Sequence, residues 1–194
     1  MLVAANVVVL AMAFHLQMSL RSLMLVYWMQ SVVIGVANVI RILKLERWSS
    51  EGMKLAAHPL AHSALAKVST AVFFAVHYGI FHLVYLFFIA LPDNADLGPA
   101  AVYLLGALVF AVNHAFSLRE NLKSDAAGAP NLNRMLFMPY ARIIPMHVMI
   151  VSGLAFTSST GWPILVFGLL KTVADALMQR VERRLTATTV ELVP

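Results

Sequence analysis

Long apolar runs alternate with short polar segments along the whole chain, and this pattern predicts membrane-spanning helices. A helix needs about 20 apolar residues to cross a hydrocarbon core roughly 30 Å thick. Turn-forming clusters, "LPDNADLGP" and "SSTGWP", separate the third run from the fourth and the fifth from the sixth. The pattern predicts an all-α, polytopic membrane protein, a single helical-bundle domain over residues 1–194 with six transmembrane helices. The predicted spans lie at about 2–18, 22–43, 68–91, 99–118, 139–158 and 162–180.

The first span is the shortest, and Asn6 and His15 interrupt it. A cleavable secretion signal requires basic residues before its apolar run. The opening stretch "MLVAANVVVLAMAF" has none. We therefore interpret this stretch as a retained first helix.

The composition supports a membrane protein and excludes all chemistry that depends on cysteine. Hydrophobic residues make up 61% of the chain and charged residues 12%, and the mean hydropathy is +0.82. A soluble domain carries about a quarter charged residues. The chain has no cysteine, which excludes disulfides, thiolate metal sites and thiol catalysis.

The basic residues fall almost entirely on one side of the predicted membrane. The other side receives Arg21 alone, and Lys171 lies inside the sixth span. The positive-inside rule then places both termini in the cytoplasm. The same rule explains the net charge of +5 without a nucleic-acid partner. The basic residues on the cytoplasmic side are Arg41, Lys44, Arg47, Lys54, Lys67, Arg119, Lys123, Arg134, Arg142, Arg180, Arg183 and Arg184.

Two cytoplasmic connections are long enough to hold structure of their own. Residues 44–67 mix Trp48 and Met53 with lysines, which favours an interfacial helix on anionic headgroups. Within this segment "HPLAH" holds His58 and His62, which we interpret as surface histidines rather than as a metal site. Residues 117–134, "SLRENLKSDAAGAPNLNR", are predicted to form a flexible linker.

Four of the predicted spans carry a polar stripe on one side and an aliphatic stripe on the other. At 100° per residue, with His77 at 0°, Tyr85 lies at about 80°, Tyr78 at about 100° and His82 at about 140°. Spans two, four and six have similar stripes, which in a membrane face the bundle interior or a wet cavity. Depth along the spans predicts that His77 faces the interior and that His82 is peripheral. The predicted central cluster is His77, His147, Lys171 and Asp175, surrounded by Gln30, Asn38 and Tyr78.

Several interpretations of this cluster remain open from the sequence. The polar groups could serve only as interhelical hydrogen bonds that hold the bundle together. A metal site could use His77 and His147 with a third helix, and a haem could use histidines on facing helices. Lys171 and Asp175, four residues apart, could instead form the charged pair of a proton or solute path. No span contains a metal-ligand spacing such as His-x-x-x-His, so neither a metal ion nor a haem is required.

Three stretches carry a resemblance to a known family. "YWMQSVVIG" (27–35), "HYGIF" (77–81) and "MPYARIIPMH" (138–147), with a Lys and an Asp in the last span, resemble a bacterial family of multi-pass membrane proteins of unknown function. In that pattern an acid often stands where this chain has Gln30, a histidine where it has Tyr85, and a glycine where it has Ala141. The resemblance implies the fold and supplies no chemistry.

The sequence therefore predicts an integral inner-membrane protein with a buried His/Lys/Asp seam. Its predicted role is a binding protein or a subunit of a larger membrane complex, in contact with lipid and with protein partners or further copies of itself. A metal- or haem-dependent redox enzyme is the alternative, and a proton or small-solute transporter is the third.

Overall fold

Six α-helices and one pair of short strands make up the computed structural model, which describes residues 2–55, 58–59, 63–90, 99–151 and 162–191. The two strands pair antiparallel, with Leu55 opposite His58. In chain order the elements are α1 (Leu2–His15), α2 (Leu20–Lys44), β1 (Lys54–Leu55), β2 (His58–Pro59), α3 (Ala64–Ala90), α4 (Ala100–Ala127), α5 (Leu132–Val151) and α6 (Trp162–Glu191).

Each predicted span overlaps one of these helices, so the all-α prediction is confirmed. Among the described residues, α2, α3 and α4 are long and apolar enough to cross a membrane, and α1 is apolar but shorter. These three helices identify the chain as a candidate membrane protein. A short turn joins α1 to α2, and the hydroxyl of Ser19 caps α2 by accepting a hydrogen bond from the Ser22 backbone N–H at 3.1 Å.

The predicted linker between the fourth and fifth spans is wrong. Helix α4 continues to Ala127 and α5 begins at Leu132. The residues after 118 are mostly good helix formers, such as Leu, Arg, Glu, Lys and Ala. Asp125 on this extension receives two hydrogen bonds from the Arg41 guanidinium of α2, at 2.7 and 2.9 Å, and this ion pair fixes the extension against α2.

The predicted interfacial helix over residues 44–67 is also wrong. Gly52 has a φ of +81°, a conformation that ends a helix, and the segment forms the β1–β2 pair instead. Its backbone bonds to the α4–α5 connection: Ser49 donates to the Pro130 carbonyl at 3.0 Å, and Leu132 donates to the Ser49 carbonyl at 2.8 Å. His58 lies in β2, whereas His62 is outside the described residues.

The contacts between helices fix their relative directions. Helices α2 and α4 run parallel, because Val26 meets Gly106 and Arg41 meets Asp125 further along both. Helices α3 and α5 also run parallel, since their paired residues are 63 and 62 positions apart. Helices α1 and α6 run antiparallel, as do α2 and α3.

Helix α2 lies at the centre of the bundle, packed against α3, α4, α5 and α6. Small residues allow its close approach to two neighbours. A methyl group added at Gly35 would lie 2.6 Å from the Tyr78 ring of α3, and one added at Gly106 would lie 2.8 Å from Val26. Gly168 allows the same closeness between α6 and Leu10 of α1.

Candidate functional site: a buried charge cluster

A lysine and an aspartate lie fully buried on one face of α6. The Lys171 ammonium is 3.0 Å from Oδ1 of Asp175, and both residues have 0% exposure. Their spacing of four residues brings the side chains together one helical turn apart. An isolated charge in an apolar interior is very costly, so the two residues depend on each other.

Two amides from other helices complete the surroundings of the carboxylate. Asn6 of α1 and Gln30 of α2 each donate an N–H to Oδ2 of Asp175, both at 3.1 Å. Because a carboxylate only accepts, each amide must turn its nitrogen toward Asp175 and its oxygen away. Asn6, Gln30, Lys171 and Asp175 are all at 0% exposure, and we call them the buried charge cluster.

The ammonium has further contacts on α5 and α2. Lys171 donates to the Arg142 carbonyl at 2.9 Å, and its nitrogen lies 5.8 Å from the centre of the Tyr27 ring. Pro145 has no N–H, so the carbonyl of Ala141, the residue before Arg142, lacks its helical donor and the hydrogen-bond ladder of α5 is interrupted there. Such an interruption makes backbone carbonyls of α5 accessible to side chains of a neighbouring helix.

Several polar atoms at this level of the bundle lack a hydrogen-bond partner within the described part of the chain. They are Oδ1 of Asn6, Oε1 of Gln30, the hydroxyl of Tyr27 and Nδ2 of Asn113. Helix α4 runs parallel to α2, and the contacts Gly106–Val26 and Asp125–Arg41 join residues 80 and 84 positions apart. By the same offset, Asn113 lies at the level of residues 29–33 of α2. A buried polar group without a partner costs about 1–3 kcal/mol. These four atoms, from three helices, therefore keep unused hydrogen-bonding capacity in the core.

Three of the predicted cluster residues, Gln30, Lys171 and Asp175, do lie together. Asn38 of α2 and Tyr78 of α3 are also buried, but they bond to other groups. The amide of Asn38 donates to the Met135 carbonyl at 2.9 Å, and this carbonyl has no helical partner because Pro139 stands four residues later. The Tyr78 hydroxyl donates to the Ser31 carbonyl at 3.2 Å.

His77 and His147 do not lie with the other predicted residues. Both are exposed, and each pairs with a tyrosine across the α3–α5 contact: His77 Nδ1 is 2.7 Å from the Tyr140 hydroxyl, and His147 Nδ1 is 3.2 Å from the Tyr85 hydroxyl. The two pairs are seven to eight residues apart along parallel helices, a rise of about 11 Å. The structure therefore does not bring His77 and His147 to one point. Among the described residues, no group of three or more His, Cys, Asp and Glu side chains has a metal-binding arrangement.

The expected orientation of the two α3 histidines is reversed. His82, predicted to be peripheral, is 4% exposed, and its Nδ1 lies 2.8 Å from the carbonyl oxygen of Tyr78, one turn earlier. His77, predicted to face the interior, is exposed. The buried face of α3 is centred on Tyr78, and His77 lies about 100° away from that centre.

Asn6 is the member of the buried charge cluster that the sequence did not indicate. The signal that could have identified it is its position as a lone amide inside the apolar α1. Polar side chains within a membrane helix usually face the bundle interior.

Comparison with known proteins gives a family without an activity. No curated protein and no solved structure matches the chain. A family model described as a family of unknown function, DUF6498, matches residues 1–191. This agrees with the prediction of a family of unknown function. The match covers nearly the whole length, and the chain belongs to the DUF6498 family of unknown function.

Proposed function

We propose that this chain is a polytopic protein of a bacterial inner membrane that binds a small polar molecule beside the buried charge cluster. The observation that carries the proposal is the pair of unpartnered amide oxygens on Asn6 and Gln30, whose nitrogens bond Asp175.

The helix directions support a six-span arrangement with both termini in the cytoplasm. In such an arrangement consecutive spans alternate in direction. The parallel pairs α2–α4 and α3–α5 and the antiparallel pairs α2–α3 and α1–α6 all fit that alternation. Because Lys and Arg lie mostly on the side of the membrane that holds the termini, the positive-inside rule supports a cytoplasmic position for both termini.

The charges of the cluster limit the kind of ligand. Lys171 and Asp175 balance each other, so an added ion would bring an uncompensated charge into a fully buried site. The oxygens of Asn6 and Gln30 accept hydrogen bonds, the Tyr27 hydroxyl can donate or accept, and the Asn113 amide nitrogen donates. A neutral molecule of a few heavy atoms with at least two donors and one acceptor fits this set. An ordered water, which typically makes about three hydrogen bonds, meets the same requirement and would occupy the site when the ligand leaves.

The test compares the wild-type protein with an Asn6→Leu/Gln30→Met variant. These replacements keep the side chains similar in size and remove both free amide oxygens. They also remove the two N–H donors to Oδ2 of Asp175, so circular dichroism must first show that the variant is folded. Detergent-purified protein is extracted for untargeted mass spectrometry, and its thermal unfolding is measured with glycerol, formamide, acetamide and urea at millimolar concentrations. Wild-type protein should carry a stoichiometric small molecule or be stabilised saturably by one of the solutes. A ligand at 100 times its Kd stabilises by about 2.7 kcal/mol.

The variant should show neither effect while remaining folded. If wild type and variant carry the same molecules and respond equally to every solute, the polar atoms are structural and the proposal is wrong.

A further inference from the structure

An exposed imidazole lies at the midpoint of a helix long enough to span a membrane. His77 is 13 residues from each end of α3 (Ala64–Ala90), which is about 20 Å at 1.5 Å per residue. The hydrocarbon core extends only about 15 Å on either side of the bilayer midplane. When α3 spans the membrane, the exposed edge of His77 therefore lies deep in hydrocarbon, far from water.

The bond to Tyr140 determines which group that edge presents. The Tyr140 hydroxyl lies 2.7 Å from Nδ1 of His77 and has no other hydrogen-bond partner among the described residues. A phenol that donates to Nδ1 satisfies its own proton in this one bond. The neutral imidazole then carries its proton on Nε2, which becomes an N–H donor on an exposed side chain. A donor without an acceptor in hydrocarbon costs several kcal/mol.

Aromatic rings surround the His77 imidazole. Phe73, one turn before His77, lies nearly parallel to the imidazole with ring centres 5.3 Å apart and 10° between the planes. Phe81, one turn after it, contacts the imidazole edge at 5.2 Å. The Tyr140 ring closes the third side at 5.6 Å. The imidazole therefore lies among flat aromatic surfaces where α3 contacts α5. We use the word groove for this surface, formed by Phe73, His77, Phe81 and Tyr140.

Neither lipid acyl chains nor a second copy of this chain would supply an acceptor for the Nε2–H of His77. Lipid acyl chains contain none. A second copy of this chain, related by a two-fold axis along the membrane normal, would bring its own His77 to the same depth, and a donor would then face a donor. The neighbouring exposed residues Val76 and Ile80 offer no acceptor side chain either.

The geometry points to a lipid-soluble quinone as the occupant of this groove, with one ring carbonyl accepting the Nε2–H of His77. Its flat ring would lie against Phe73 and Phe81, as offset or edge-to-face aromatic contacts allow. Its isoprenoid tail would follow the exposed aliphatic and aromatic side chains of the same face, Ile80, Val84 and Phe88. This site is separate from the buried charge cluster, so either site can exist without the other.

His147 offers a matched control on the neighbouring helix. It is also exposed and also bonds through Nδ1 to a tyrosine, Tyr85. Tyr85 is only five residues from the end of α3, so its level is close to the headgroups, where water and lipid carbonyls supply acceptors. Tyr85 is also the one aromatic ring recorded beside His147 in the described chain, whereas three rings surround His77.

The experiment titrates detergent-purified protein with decylubiquinone and follows binding by isothermal calorimetry. Wild-type protein should show one saturable site. His77→Phe should weaken binding about tenfold, because the carbonyl loses its donor, and His77→Gln, which keeps an N–H, should remain within about threefold of wild type. His147→Phe should remain within about twofold. Far-UV circular dichroism and size-exclusion chromatography check that each variant is folded.

A photoreactive azidoquinone on the wild-type protein gives a second readout that needs no variant. It should label peptides within residues 73–84 or 137–140. Absence of saturable binding by wild type, equal binding by His77→Phe, or labelling confined to other peptides would each overturn the inference. Disulfide-linked dimers formed by His77→Cys in native membranes, and not prevented by added decylubiquinone, would assign the groove to a second copy of the chain instead.

Discussion

Replacing Asp175 with asparagine removes one charge from the buried charge cluster while leaving the size of the side chain almost unchanged. The hydrogen bonds can be kept. If the new amide nitrogen takes the position of Oδ2, the amides of Asn6 and Gln30 can turn over and accept from it through oxygens that now have no partner. The remaining oxygen still accepts from Lys171. The substitution therefore isolates the loss of the counter-charge from the loss of hydrogen bonds.

The magnitude follows from the burial of the pair. Lys171 and Asp175 are both at 0% exposure, and removing one partner of such a pair leaves an uncompensated buried charge, at a cost of about 3–5 kcal/mol. The Arg142 carbonyl and the Tyr27 ring provide only dipolar and quadrupolar attraction to the remaining ammonium. Since folded proteins are stable by about 5–15 kcal/mol, we expect Asp175→Asn to lose a large fraction of the free energy of unfolding.

The assay is reversible unfolding in mixed micelles with increasing dodecyl sulfate, followed by tryptophan fluorescence. Lys171→Met/Asp175→Asn removes both charges and should recover most of the loss, because no charge is then left unpaired. Glu120→Gln makes the same chemical change in a surface pair, Glu120–Lys123, whose side chains are 71% and 62% exposed, and should change stability by less than about 0.5 kcal/mol. If Asp175→Asn stays within about 1 kcal/mol of wild type, or if the double variant is no more stable than the single one, the ion-pair argument is refuted.

Two further predictions concern packing and topology. Gly35→Ala should destabilise by about 1–3 kcal/mol, because the new methyl group would lie 2.6 Å from the Tyr78 ring, whereas Gly79→Ala, with nothing within 4 Å, should be neutral or stabilising in the same unfolding assay. Single cysteines introduced by Ala95→Cys and Ala126→Cys into this cysteine-free chain should react with an impermeant maleimide in intact cells only at position 95, and the opposite labelling would contradict the proposed six-span topology.

The sequence predicted the helices well and their ends less well. Apolar runs locate the cores of the six helices because lipid-length hydrophobicity is a property of composition. The ends depend on tertiary contacts: α4 extends past residue 118 because Arg41 reaches Asp125, and the 44–67 segment forms strands because it bonds to the next connection. Neither contact is visible in the local pattern.

The candidate site was predicted in part for a similar reason. Helical periodicity identified the polar arc of α3 correctly, but not its centre. Around the level of His77, the buried residues Phe74, Tyr85, Tyr78 and His82 lie at about 60°, 80°, 100° and 140° from it, whereas His77 itself is exposed. The i, i+4 spacing found the Lys171–Asp175 pair, because that pairing is local.

The partners of these groups are not encoded locally. Pro139 implies from sequence alone that the Met135 carbonyl lacks its helical donor, yet nothing in the sequence indicates that Asn38 supplies one. Asn6 reaches Asp175 across 169 positions of chain, and such contacts depend on how the helices assemble.

That separation also has a consequence for the order of assembly. The first helix and the last close on each other through Asn6 and Asp175, while Gln30 reaches the same carboxylate across 145 positions. Helices α1 and α2 are synthesised before α6. The amides of Asn6 and Gln30 therefore lie in the membrane without their final acceptor, Asp175, until α6 has been made. Helix α6, by contrast, carries its lysine and aspartate together and can enter as a neutral unit. Docking of α6 is therefore the step that completes the core, and a chain that stops short of residue 171 is expected to expose two unsatisfied amides to the machinery that degrades unassembled membrane proteins.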